Sequence, residues 1–91
     1  MTSLTTSNIL LPTMIKIHIA KIHGVLFSDE ADSITVPGTE GELTILPNHM
    51  QLATNLKEGR LVVKRGGEEV FTHDVEHGVL EVTATTATVL L

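Results

Sequence analysis

The sequence predicts an all-β domain: an antiparallel β-sandwich, or flattened barrel, in which two sheets hold about ten short strands. Three observations support this fold class. Ile, Val and Thr make up 29 of the 91 residues, and such β-branched side chains favour strands. Turn-forming Gly, Pro, Asn and Asp interrupt the apolar segments at intervals of roughly 8–12 residues, as in sandwiches and barrels. No segment of useful length has the period of an amphipathic helix.

The strand segments follow one another along most of the chain. They cover residues 15–19, 25–28, 33–36, 42–46, 51–56, 60–65, 68–75, 79–83 and 86–91. In the first segment, isoleucines alternate with Lys16 and His18, which is typical of a half-buried strand. The apolar positions then change phase at Ala20 and Ile22, so we expect a β-bulge or a strand end there.

Turn residues mark the ends of the later segments. Pro37 and Gly38 end the third segment, and Pro47 begins the turn after the fourth. Gly66 and Gly67 separate two strand patterns, and together they predict a two-residue hairpin with positive φ angles.

The composition excludes several classes of function. The chain has no Trp, no Tyr and two Phe, and its net charge is −5, so we expect no nucleic-acid partner. It has no Cys, which excludes disulfides and thiol nucleophiles. No apolar stretch approaches the ~18 residues of a membrane helix, so we expect no direct membrane insertion. Residues 1–13 are rich in Ser and Thr without the basic start of a signal peptide, and they predict a flexible leader before a single domain at residues 14–91.

The histidines form one notable pair. His73 and His77 flank Asp-Val-Glu, and on a helix this spacing would place both imidazoles on one face, as in some metal sites. The surrounding residues indicate a strand and a turn instead, so a polar, partly exposed strand end is the favoured interpretation. His18, His23 and His49 are scattered and have no metal-ligand spacing.

The carboxylates offer one candidate for acid–base chemistry. Glu40 and Glu42 flank Gly41 in a predicted turn, but general acid–base catalysis needs a cleft and a raised pKa, and the sequence indicates neither. Solvated carboxylates at such a turn are better suited to contact a polar loop of a partner. No nucleophile elbow, P-loop or dinucleotide fingerprint is present. We therefore expect no catalytic residue, no metal and no cofactor.

Several motifs, in the right order, resemble the epsilon subunit of F-type ATP synthases. Residues 36–49, VPGTEGELTILPNH, are similar to the family pattern V-P-G-x-E-G-E-L/F-G-I/V-L-P-G-H-A-P-L. Residues 15–28 resemble the first strands of the family, and residues 56–59 resemble its L-K-P-G turn. Residues 78–82 and 87–90 resemble its closing G-I/F-L-E-V and V-T-V-L motifs.

The resemblance implies a ten-stranded β-sandwich that serves as a non-catalytic rotor subunit of the central stalk. Such a subunit binds the gamma subunit and the polar loops of the c-ring, and it couples proton-driven ring rotation to ATP synthesis. Glu42 matches the acidic loop position that meets the c-ring, and Glu40 and Gly41 flank it in the same loop. In a bacterium, the complex would hold the chain at the cytoplasmic face of the plasma membrane.

The same resemblance implies a surface that faces gamma. Lys21, His49 and the stretch from Leu52 to Thr54 match positions near that interface. The Gly and Pro of the family's G-H-A-P-L motif are replaced here by Asn48 and Gln51. The family's carboxy-terminal helical hairpin would follow Leu91, where the sequence ends. These departures concern the gamma contact and the regulation of ATP hydrolysis more than the fold.

Two alternatives come from other functional classes. One is a free-standing β-sandwich binding module that holds a metal through His73 and His77, which would make its stability depend on the metal. The other is a small hydrolase that uses Glu40 and Glu42, for which the sequence indicates no pocket. The rotor interpretation leads because of the family resemblance, since the residues alone predict only a β-sandwich with a recognition loop.

Overall fold

The computed structural model describes residues 14–47 and 51–91, so the predicted leader at residues 1–13 and the predicted contact residue His49 lie outside the described part. The described residues form nine strands: β1 (Ile15–Lys21), β2 (Gly24–Ala31), β3 (Ser33–Gly38), β4 (Gly41–Ile45), β5 (Leu52–Leu56), β6 (Gly59–Arg65), β7 (Glu68–Val75), β8 (Gly78–Val82) and β9 (Thr86–Leu90). Within these two ranges, no helix is long and apolar enough to cross a membrane.

The strands form one sheet in the order β2-β1-β9-β8-β5-β3-β6-β7, and β4 pairs with β3 off this path. The sheet curls into a nearly closed, barrel-like sandwich, which confirms the predicted fold class. Strand β3 joins the two halves of the sandwich. Its first residues, from Ser33 to Thr35, pair with β6, whereas its last residue, Gly38, pairs with Leu56 of β5.

Two local predictions are confirmed. The register between β1 and β2 shifts between Ile19 and Ala20, where the change of apolar phase predicted a bulge or a strand end. Arg65 pairs with Glu68 across the predicted two-residue hairpin. Its two glycines have φ angles of 64° and 81°, which glycine adopts without steric cost.

One strand pairing differs from the prediction of a wholly antiparallel sandwich. Strands β1 and β9 run parallel, with Lys16 opposite Thr86 and Ala20 opposite Leu90, whereas the other pairs are antiparallel. A parallel pair needs a long connection between its strands, so no hairpin turn marks it in the sequence. The described residues contain nine strands, close to the ten or so that were predicted.

Buried aliphatic side chains fill the space between the two halves of the sandwich. Every described strand contributes, because alternate side chains of a strand point to the same face. Fully burying one Ile, Leu or Val stabilises a fold by roughly 1.5–3 kcal/mol. The cluster consists of Ile15, Ile17, Ile19, Ala31, Ile34, Val36, Ile45, Leu56, Leu61, Val63, Val75, Leu80, Val82, Ala87 and Val89.

Side chains, rather than a strand ladder, connect the two ends of the sheet. Strands β2 and β7 end the strand order and are not hydrogen-bonded neighbours. The rings of Phe27 in β2 and Phe71 in β7 lie 5.2 Å apart, and we call this contact the seam. Nearby, Arg65 Nη1 donates to Asp29 Oδ2 at 3.1 Å and to the carbonyl oxygen of Glu30 at 2.8 Å. The hydrogen bond from the backbone amide of Glu30, followed by the one from Arg65, lowers the pKa of Asp29 below its ordinary value of 3.8.

The strand registers place four turns and the last residue at one end of the sandwich. Gly38 is opposite both Gly41 and Leu56, and Leu56 is opposite Gly78. The β3–β4, β5–β6 and β7–β8 turns therefore lie together. Strand β1 also ends here, so the β1–β2 turn lies at the same end of the sandwich. Strand β9 runs parallel to β1, so its last residue Leu90 and the following Leu91 lie at this end too. We call it the Leu91 end.

Candidate functional site

The predicted acidic turn is the tip of the β3–β4 hairpin, at the Leu91 end. Gly38 pairs with Gly41, so Thr39 and Glu40 form the turn itself, and Glu42 is the second residue of β4. Both glutamates are exposed. Neither forms an ion pair with another residue in the described ranges. Two solvated carboxylates are therefore available to a partner.

Backbone geometry holds this turn in place. Gly41 has a φ angle of 131°, a conformation that L side chains rarely adopt. A Cβ atom at Gly38 would lie 2.8 Å from the carbonyl oxygen of Gly41, so the turn closes too tightly for a side chain there. The backbone amide of Thr39 donates to the carbonyl oxygen of Asn55 at 3.0 Å, which ties the turn to β5. The acidic turn is therefore a fixed part of the sandwich.

The residues predicted to face a gamma subunit lie in different parts of the structure. Lys21 is exposed at the last position of β1, at the Leu91 end. Leu52 and Thr54 are half-buried on the core-facing side of β5, opposite buried residues of β8. Leu52 begins β5 at the end of the sandwich remote from the acidic turn. The structure therefore does not bring these three residues together on one surface.

The sequence analysis missed an apolar row on the outer face of the sheet. The row consists of Val25, Ala20, Leu90 and Val79, which are neighbours across β2, β1, β9 and β8. Val25 is 59% exposed, Leu90 56% and Val79 44%. Solvent-facing strand positions are usually polar, so apolar residues there were the available signal. Contiguous exposed apolar side chains are typical of a surface that contacts another protein.

An open cleft of about 530 Å³ lies at the Leu91 end. His23 from the β1–β2 turn, His73 from β7 and His77 from the β7–β8 turn all line it, and we call it the histidine cleft. The ring of His73 is nearly parallel to that of Phe71, with the ring centres 6.2 Å apart. Strand and turn, not helix, position His73 and His77, as predicted.

The structure gives little support to the two alternative functions. Within residues 14–47 and 51–91, no three His, Asp or Glu side chains are grouped closely enough to hold a metal ion. The metal-binding module through His73 and His77 therefore has no built site there. Glu40 and Glu42 lie on an exposed hairpin and do not line the histidine cleft, so the hydrolase hypothesis lacks an enclosing pocket. His18 faces outward, with Nδ1 3.4 Å from Ser28 Oγ.

Comparison with known proteins gives consistent results. The family described as "ATP synthase, Delta/Epsilon chain, beta-sandwich domain" matches residues 14–91. An ATP synthase epsilon chain of Aquifex aeolicus is 43% identical over 70 residues, which are 77% of this chain and 52% of that protein. The epsilon chain of Desulforamulus reducens is 48% identical over 58 residues, which are 64% of this chain and 43% of that protein. The chain thus spans about half the length of these curated relatives.

Solved structures show the same fold at lower sequence identity. A chain in the cryo-EM structure of the Euglena gracilis mitochondrial ATP synthase (OSCP/F1/c-ring) aligns with a TM-score of 0.81 and 20% identity, over 91% of this chain and 53% of that one. A chain from the central stalk and c-ring of the Tetrahymena thermophila mitochondrial enzyme aligns with a TM-score of 0.68 and 14% identity, over 84% of this chain and 61% of that one. Since the family match covers all of the described sandwich, the chain belongs to the ATP synthase delta/epsilon family, as a β-sandwich domain of the epsilon subunit.

Proposed function

We propose that this chain is a non-catalytic rotor subunit in the central stalk of a proton-translocating F-type ATP synthase. It binds the gamma subunit and the c-ring, and it thereby couples ring rotation to ATP synthesis. The family match over residues 14–91 is the observation that carries this proposal. In a bacterium, the subunit is peripheral to the cytoplasmic face of the plasma membrane.

The acidic turn is the proposed contact with the polar loops of the c-ring. Glu40 and Glu42 are exposed on either side of Gly41, and the hairpin fixes their position at the Leu91 end. Exposed charges at the rim of an interface contribute mainly to orientation, specificity and association rate. The turn therefore orients the subunit on the ring, while most of the binding free energy comes from elsewhere.

The apolar row is the proposed source of that binding free energy, through contact with gamma. A partner that covers the exposed Leu90 and Val79 removes their apolar side chains from water. This burial stabilises the complex by about 25 cal/mol per Å² of apolar surface. The predicted gamma-contact residue Lys21 follows Ala20 of the row directly in β1 and is exposed at the Leu91 end. Leu52 and Thr54, the other described residues that the resemblance assigns to the gamma contact, lie on the core-facing side of β5 and are not part of this surface.

Co-purification tests both contacts. The chain is co-expressed with the gamma subunit and the c-ring of the same source, as wild type and as Glu42→Lys. The matched control is Glu68→Lys, an exposed glutamate at the opposite end of the sandwich. We expect a stoichiometric complex with gamma for all three, and weaker retention of the c-ring only for Glu42→Lys. Failure of the wild-type chain to bind gamma would refute the rotor assignment.

A further inference from the structure

The order of side-chain sizes along the apolar row distinguishes it from a merely exposed apolar patch. From β2 to β8, neighbouring strands present Val25, Ala20, Leu90 and Val79. Leu90 is 56% exposed, whereas Ala20 beside it is half-buried and has a single methyl group. A projecting side chain and a shallow depression therefore lie next to each other at the centre of the row.

A second copy of the chain fits this order when a twofold axis runs parallel to the strands, between β1 and β9. The rotation brings β9 of one copy opposite β1 of the other, and β8 opposite β2. Leu90 then faces Ala20 of the second copy, and Val79 faces Val25. Large residues that face small ones allow two packed sheets to interdigitate. An axis across the strands would set Leu90 against Leu90, so the row favours the axis parallel to the strands.

The polar residues beside the row also match in this arrangement. His18 of β1 lies between Ser28 of β2 and Thr88 of β9, and Thr88 pairs with Glu81 of β8. The same rotation places Glu81 opposite Ser28 and His18 opposite Thr88. A carboxylate accepts a hydrogen bond from a serine hydroxyl, and an imidazole and a threonine hydroxyl also form a hydrogen bond. The face is therefore self-complementary in its polar groups as well.

The charges on this face do not oppose the arrangement. The outer face of the four strands carries Lys16, Glu30 and Glu81, whereas most of the 11 acidic residues of the chain lie elsewhere. Lys16 faces Thr86 of the second copy, and Glu30 faces Thr83, which follows β8 beside Thr86. No charged side chain therefore meets one of its own sign. The remaining repulsion between two copies of net charge −5 acts at longer range, where salt screens it.

The size of the shared face limits the strength of the contact. Four strands at a spacing of about 4.8 Å, each contributing about five residues, overlap over a flat area of roughly 300 Å² on each copy. Protein contacts that bury less than about 1,200 Å² in total belong to weak and transient complexes. Two copies would therefore associate at high concentration and separate readily.

We propose that the free chain forms a weak, twofold-symmetric dimer through the apolar row. The dimer covers the row as long as no other protein does. Because gamma is proposed to bind the same row, a copy that enters the stalk leaves the dimer. The pairing itself is a property of the isolated chain and does not depend on the assignment of the chain as a rotor subunit.

Translational diffusion of the whole chain, measured by NMR from about 10 µM to 1 mM at about 0.15 M salt, tests the proposal. We expect the wild type to change from monomer to dimer over this range. Ala20→Leu fills the depression, so it should weaken the dimer at least tenfold although it adds apolar surface. Ala53→Leu is the matched control, since Ala53 is exposed on β5 outside the shared face, and it should leave the dimer unchanged. Stronger association of Ala20→Leu would indicate unspecific apolar contact and overturn the proposal.

Mixing two variants tests the fit of the row directly. Leu90→Ala removes the projecting side chain and should also weaken the dimer, whereas Ala20→Leu has a leucine at both central positions. Each variant therefore complements the other, and ¹⁵N-labelled Ala20→Leu titrated with unlabelled Leu90→Ala should form a heterodimer at least several-fold tighter than either homodimer. Well-dispersed spectra verify the fold of each variant.

Two results would refute the dimer. One is a wild type that stays monomeric at about 1 mM, and the other is a mixture that associates no more than each variant alone. Neither measurement contains gamma, so failure of the dimer leaves the rotor assignment intact. Failure of gamma to co-purify would in turn leave the dimer intact.

Discussion

The seam between β2 and β7 leads to a prediction about stability. Phe27 and Phe71 are half-buried against the core, with ring centres 5.2 Å apart. Replacing a fully buried Phe with Ala costs about 3–5 kcal/mol, so a half-buried ring corresponds to about 2 kcal/mol. About 1 kcal/mol of this is the contact between the two rings, since aromatic pairs stabilise each other by about 0.5–1.5 kcal/mol. We therefore expect each single variant, Phe27→Ala or Phe71→Ala, to lower the free energy of unfolding by about 2 kcal/mol.

The double variant distinguishes a coupled seam from two independent rings. If the rings support each other, the free energy of unfolding falls by about 3 kcal/mol in the double variant rather than about 4 kcal/mol, because the first substitution already removes the mutual contact. A 91-residue domain has a stability of roughly 5–14 kcal/mol, so the double variant stays folded and measurable.

Urea denaturation followed by far-UV circular dichroism provides the measurement, since the chain has no Trp or Tyr to report by fluorescence. Val70→Ala is the control, because Val70 precedes Phe71 in β7 but is 40% exposed, and we expect a change within about 0.5 kcal/mol. Strictly additive effects of the two Phe substitutions would contradict the reasoning and would show that the sheet closes without this contact.

The other predictions concern the interaction surfaces, pH and the acidic turn. Leu90→Glu or Val79→Glu places a charge in the apolar row, so the affinity for gamma, measured by isothermal titration calorimetry, should fall at least tenfold. The control is Glu81→Gln, on the same face of β8, which should bind gamma with unchanged affinity. The lowered pKa of Asp29 stabilises the folded chain at pH values above the ordinary pKa of 3.8, and this stabilisation is lost as the pH falls through the lower folded-state pKa. Asp29→Asn should therefore lose less thermal stability on acidification than the wild type. Identical pH profiles of the melting temperature would exclude the effect. Gly41→Ala should lower the melting temperature by several degrees, at a cost of about 1 kcal/mol for the positive φ angle, and an unchanged melting temperature would indicate that the turn is not constrained.

The sequence predicted those features of the fold that depend on neighbouring residues. The glycine hairpin at Gly66 and Gly67 and the bulge near Ala20 follow from backbone preferences and side-chain alternation, which act over a few residues. The parallel pairing of β1 with β9 was not predictable in this way, because it depends on the packing of the whole sheet. The seam was hidden for the same reason, since Phe27 and Phe71 meet only when the sheet curls.

The same distinction applies to the candidate site, because the sequence predicted the feature formed by adjacent residues but not those that depend on strand register. The acidic turn with Glu40 and Glu42 was predicted as an exposed recognition loop, because its glycines and carboxylates are adjacent in sequence. The contacts predicted at Leu52 and Thr54 rested on family resemblance, and the inward orientation of these side chains depends on the strand register. The histidine cleft combines His23 with His77, which are far apart in the chain, so only the fold reveals it.

The parallel pairing of β1 with β9 has a consequence for how the chain folds. Strand β1 is made first during synthesis but cannot gain its neighbour β9, with Lys16 opposite Thr86, until nearly all of the domain has been translated. Closing so long a loop is entropically costly, and folds dominated by such distant contacts form slowly. Until then β1 has only its hairpin partner β2, with an open strand edge that favours aggregation. The nascent chain should therefore depend on chaperones more than its small size suggests.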